Sequence, residues 1–87
     1  MTLTALCQQV AARLCVTERE IATASLRREV LRARAIVGHI AVRHRGLSLS
    51  AVARHLAVSR QSIARALLHG PAVIAERNWT EADFPLG

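Results

Sequence analysis

Phe, Tyr and Trp are absent until Trp79, and Phe84 is the only other member of that set. Without aromatic bulk, a core has to be assembled from Ala, Leu, Val and Ile meshing at close spacing, which is the inventory of a helical bundle. The 87 residues are 52% hydrophobic, enough for one compact domain with one modest core. The expected fold is therefore all-α, a small bundle of about five helices.

Apolar periodicity and end signals place those helices. Leu6, Val10, Ala11 and Leu14 share a stripe in a first helix over Thr4 to Leu14. Thr17 followed by Glu20 is a capping box that opens a short helix from Glu18 to about Thr23, with Val16 placed to staple against Ile21 or Ala22. Ser25, Arg27 and Arg28 interrupt the pattern as a short basic loop. From Glu29 to Arg45 the chain is apolar nearly all round, with Val30, Leu31, Ile36, Val37, Ile40 and Ala41, as expected of a central buried helix stopped by Gly46. On that helix Arg32, His39 and Arg43 share a stripe. Ser48 caps a helix running through Ala57, and Ser59 caps the next, which Gly70 and Pro71 are expected to stop. The division that follows is a folded domain over 1–70 and a tail or linker over 71–87.

The stretch from Leu49 to Leu68 is the most specific part. Val52, Leu56, Val58, Ile63 and Leu67 are spaced to form one apolar cluster between two helices, and Ala53 lets them approach closely. That is the pattern of a helix-turn-helix, and Ala57 occupies the turn position where glycine is common; a left-handed alanine there costs about 1–2 kcal/mol. The outward face of the second helix then carries Ser59, Arg60, Gln61, Ser62, Ala64 and Arg65. These groups are short or hydrogen-bonding, suited to a major groove, and Ser59, Arg60, Gln61, Ser62 and Arg65 are the expected base readers, with Arg60 and Gln61 foremost.

Charge supports a polyanionic partner. Residues 25–69 carry nine arginines against the single Glu29, a net +8, whereas the chain total is +6 and the last 18 residues are acidic on balance. Arg27, Arg28, Arg32, Arg43 and Arg54 are the expected phosphate contacts, with Ser48 at a helix start beside them. Five neutralised phosphates correspond to a log-log salt slope of about −4 to −5.

With the elements in this order, the chain resembles the C-terminal duplex-binding domain of the bacterial replication initiator DnaA, a fold related to the Trp repressor. The resemblance spans Leu6 to Leu68 and is carried by Val16 to Ile21, by the run from Arg28 to Ile36, and by Leu47-Ser48-Leu49-Ser50-Ala51-Val52-Ala53. It implies that the basic loop and the start of the long helix grip backbone and minor groove, which assigns Arg27, Arg28 and Arg34 to that role. The initiator family has an Asp-His-Thr-Thr type signature at the start of its recognition helix, whereas Ser59-Arg60-Gln61-Ser62 stands here, so the initiator's box is not the expected target. The form from Val58 to Ile63 is more similar to the DnaA-like domain of bacterial transposases associated with repetitive extragenic palindromes.

Catalysis is not expected. ATP hydrolysis of the initiator kind and the tyrosine chemistry of such transposases are both excluded, because the chain has no Lys, no Tyr and no His-x-His. His39, His44, His55 and His69 fall on different faces, and no metal or cofactor is expected. Cys7 and Cys15 read as buried thiols, since eight positions along one helix span roughly 12 Å, too far for a disulfide. No basic hydrophobic leader is present, and the apolar run Ala35 to Val42 is short and broken by Gly38 and His39, so a cytoplasmic chain without a membrane span is expected. The expected partner is double-stranded DNA, with no small-molecule substrate and room for an additional domain or protein partner. The alternative is a protein-interaction module anchored by Trp79 and Phe84. Single-strand or RNA binding fits less well, because the basic region offers no aromatic stacking platform.

Overall fold

The computed structural model describes residues 3–22 and 27–79. Among them are five α-helices and no strand: α1 (Leu3–Leu14), α2 (Glu18–Ile21), α3 (Arg28–His39), α4 (Leu49–Leu56) and α5 (Arg60–Glu76). A π-helical turn, Ile40–His44, continues α3. No helix among the described residues is long and apolar enough to cross a membrane.

The all-α expectation holds, and so do most helix starts. Thr17 N–H donates to Glu20 Oε1 at 3.0 Å while Glu20 N–H donates to Thr17 Oγ1 at 3.0 Å, the reciprocal pair that opens α2. The backbone donation from Thr17, with Arg27 nearby, holds the Glu20 carboxyl below its ordinary range. Ser48 and Ser59 accept from the N–H groups of Ala51 and Ser62, both at 3.1 Å, and so cap α4 and α5.

Helix ends follow a rule less visible in the sequence. Cys15, Ala57 and Asn78 all adopt left-handed backbone (φ 57°, 57° and 58°), each closing a helix, and the N–H of the next residue reaches back six positions inclusive. Val16 donates to Ala11, Val58 to Ala53 and Trp79 to Ile74, at 3.1, 3.0 and 3.1 Å. After Ala57 and Asn78 the second bond of the Schellman motif is present as well, from the left-handed residue's own N–H to Arg54 and Ala75. Gly46 (φ 69°) is left-handed too and stops the π-helical turn where expected, with the Leu47 N–H reaching back one position further, to Ala41 at 3.0 Å. Cys15 is thus an exposed cap residue, contrary to the buried-thiol expectation, while Cys7 is buried; both are free thiols. Burial, then the charge of Glu18, push the Cys7 thiol up to about 11.

Helix α3 is the centre of the molecule, with Val30, Ala33, Ile36 and Val37 fully buried. Its closest neighbour is α5. A Cβ added at Gly70 would lie 2.4 Å from His39 Cβ and 2.8 Å from the Ala35 carbonyl oxygen, so the two helices touch there almost backbone to backbone. Gly70 is a helix-crossing residue, not a stop signal. Helix α5 runs on through Pro71 to Glu76, and Val73 and Ile74 are buried in the core. Pro71 withholds one N–H and crowds the preceding turn, a cost of roughly 3 kcal/mol, but burying Val73 and Ile74 at about 1.5–3 kcal/mol each offsets it. The expected boundary at 70/71 therefore falls inside a helix. Trp79 also packs against this core, with the guanidinium carbons of Arg13 and Arg77 at 5.3 and 5.7 Å from its ring centroid. Phe84 lies outside the described residues, as do residues 23–26 with Ser25 of the expected basic loop.

Candidate nucleic-acid interface

Helices α4 and α5 are joined through Ala57, Val58 and Ser59. The left-handed Ala57 and the bond from Val58 to Ala53 end α4 sharply, and the Ser59 cap starts α5 at once, so the connection has little freedom. Val52, Leu56 and Ile63 are each fully buried between the two helices, with Val58 packed against them. With Ile63 pointing inward, Ser59, Arg60, Gln61, Ser62, Ala64 and Arg65 are all exposed. Ser59 O–H donates to Ser62 Oγ at 3.0 Å, which leaves the Ser62 hydroxyl proton directed elsewhere.

The expected backbone-contacting arginines separate into two groups. Arg28, Arg43 and Arg54 are exposed and, like Arg60 and Arg65, make no ion pair or side-chain hydrogen bond among the described residues. The others are engaged within the fold. Arg27 at the start of α3 is exposed but pairs with Glu20. Arg32 lies 3.2 Å from Glu29 and 3.4 Å from Glu76, joining α3 to α5. Glu29 also accepts from Arg77 at 2.6 Å. Desolvation acts to raise the Glu29 pKa, but the hydrogen bonds from Arg32 and Arg77 outweigh it and hold the carboxyl below its ordinary value.

Arg34 requires a correction. It is only 6% exposed, and its Nε donates to the Ile21 carbonyl at 3.1 Å while a terminal nitrogen approaches the Glu20 carbonyl at 3.5 Å. Its charge is spent on the C-terminal carbonyls of α2, a favourable place for a cation, although burial depresses its pKa. It is a strut between α2 and α3 and does not join the outward set. His39 is likewise buried, edge-on to His44 with ring centroids 5.0 Å apart, rather than sharing a surface stripe with Arg32 and Arg43.

Beside the exposed face of α5 runs a groove of about 780 Å³, bounded on one side by Arg28, Leu31 and Arg32 of α3 and on the other by Ser62, Arg65 and His69 of α5. Sequence reasoning missed this groove and the place of His69 in it. The signal was available in the spacing Ser62, Arg65, His69, which puts three donors along one edge of a helix. No group of His, Cys, Asp and Glu able to hold a metal ion occurs among the described residues.

Compared with known proteins, the chain matches no family model, no curated protein and no solved structure.

Proposed function

We propose that this chain is a non-catalytic, sequence-selective binder of double-stranded DNA, using α4 and α5 as a helix-turn-helix with α5 in the major groove. The observation that carries the reading is the leading turn of α5: Ser59, Arg60, Gln61 and Ser62 stand exposed on a helix start fixed by a left-handed cap and anchored by the fully buried Ile63. Arg60 and Gln61 have the donor and acceptor groups for guanine and adenine edges. Arg28, Arg43 and Arg54, with no carboxylate to neutralise them, supply phosphate contacts that leave counterions free to dissociate. The likeness to the DnaA duplex-binding domain, and to its relatives in transposase-type proteins, belongs to this proposal. Of the two anchors of the protein-docking alternative, Trp79 and Phe84, the Trp79 ring is partly buried against the chain's own core.

The test is selection from a randomised duplex pool at near-physiological salt, run in parallel with the Arg60→Ala, Gln61→Ala variant. The expected result is an enriched motif that the variant loses. No enrichment, together with no binding at low salt, refutes the proposal.

A further inference from the structure

The groove between α3 and α5 has a composition that the DNA reading does not require. Its accessible lining is largely apolar, with Leu31 exposed, Ala66 half-buried and the edge of Val73 beside them, over a closed layer of Ala35 and Ile63; the buried Arg34 borders it as well. Leu31 is 45% exposed, an apolar side chain left facing solvent at the edge of a concave surface. A phosphodiester backbone has no use for such a floor, and its charge would sit above it.

The upper edge is cationic and unneutralised. Ser62, Arg65 and His69 follow one another at positions i, i+3 and i+7 of α5, all exposed, with Arg28 on the opposite side. Arg28, Arg65 and His69 make no ion pair or side-chain hydrogen bond among the described residues, and the Ser62 hydroxyl already accepts from Ser59, so its own proton is available to an acceptor. Glu29 and Glu76, the acids that pair with the groove-lining Arg32, are occupied by it and, for Glu29, by Arg77 as well. An apolar cleft with a few convergent polar groups along one edge is the usual form of a small-molecule site.

We infer that the α3–α5 groove binds a small organic anion with an apolar body: a carboxylate or related acid group held by Ser62, Arg65 and His69, and a hydrocarbon or ring portion on Leu31, Ala66 and the edge of Val73. Neither half of the site suffices alone. The donors are too exposed to hold a bare inorganic anion firmly, and the floor is too open to hold a neutral apolar molecule. This inference does not rest on the DNA proposal, although Ser62, Arg65 and Arg28 figure in both, and its test uses no DNA.

The experiment is a titration of the isotope-labelled protein with sodium 1-naphthylacetate, followed by amide chemical shifts, alongside the neutral 1-naphthylacetamide and sodium acetate. Saturable shifts centred on Leu31, Ala35, Ala66, His69 and Val73 are expected. Affinity should fall about fivefold for the amide and for the Arg65→Gln variant, and acetate should give no saturable shift. Arg65 is exposed and unpaired, so that variant is expected to fold, and its unperturbed spectrum without ligand verifies this. Arg19→Gln, on the exposed surface of α2, controls for lost net charge and should leave the affinity unchanged. Failure of naphthylacetate to saturate, shifts centred away from the groove, or equal affinities for acid and amide would each overturn the inference.

Discussion

Two glycines of the α3–α5 contact should respond to alanine in opposite directions. At Gly38 a new Cβ would meet Ile63 Cγ2 at 3.7 Å and Leu67 Cδ2 at 3.9 Å, ordinary van der Waals contacts. At Gly70 it would meet His39 Cβ at 2.4 Å and the Ala35 carbonyl oxygen at 2.8 Å, atoms fixed to the α3 backbone that cannot swing aside. Helix propensity favours alanine by about 1 kcal/mol at either site. For Gly38→Ala nothing opposes that gain, and stability should rise by about 0.5–1 kcal/mol. For Gly70→Ala the forced separation of α3 from α5 costs about 1–3 kcal/mol, most of it at the upper end because backbone must move. The net loss should be about 1–2 kcal/mol. In a domain of this size each kcal/mol moves Tm by roughly 4–8 °C, so thermal and urea unfolding followed by circular dichroism will separate the variants easily. If both variants are stabilised, Gly70 is not the point of closest approach and the account of α5 continuing through Pro71 fails with it.

Other consequences are open to the same kind of measurement. Ala57→Gly should stabilise by about 1 kcal/mol, because glycine accepts the left-handed cap between α4 and α5 without the Cβ cost; a loss in urea unfolding would mean that the turn is not left-handed. Arg34→Ala should lower stability by about 2 kcal/mol by stranding the Ile21 and Glu20 carbonyls, yet leave the salt slope of duplex binding unchanged, whereas Arg28→Ala and Arg54→Ala should each reduce that slope by about 0.9. A reduced slope for Arg34→Ala would return it to the DNA face. Iodoacetamide should label Cys15 in the native protein and spare Cys7. The Cys7 thiol holds its proton to about 11 when folded, against 9.0 ordinarily, so its contribution is complete below pH 9 and is lost as pH rises toward 11; Cys7→Ala should flatten that alkaline decline in urea unfolding, and an unchanged decline would assign it elsewhere.

Local chemistry made much of the fold legible. Thr17, Ser48 and Ser59 cap the helices they were expected to cap, Gly46 ends the central helix, and the left-handed turn at Ala57 follows from a chain that must reverse between two apolar stripes. What stayed hidden depends on contacts between distant residues. Pro71 reads as a stop because its cost is local, and only the burial of Val73 and Ile74 shows why α5 continues. Arg32 and Arg34 look alike in a basic run, but α2 packs over one and leaves the other beside Glu29 and Glu76. Cys15 and Asn78 close helices in a role usually signalled by glycine, so composition gave no hint. The outward face of α5 was readable because one buried position, Ile63, fixes the orientation of its neighbours.

Trp79, the one tryptophan in a chain without tyrosine, gives the molecule a built-in fluorophore at a known place. Its ring lies close to a guanidinium from α1 and another just past α5, so its emission follows the closure that ties the first helix to the last. The donor edge of α5 begins near the opposite end of that 17-residue helix, with Ser62 roughly 21 Å along the axis from Glu76. Light from this ring therefore monitors whether the bundle is shut.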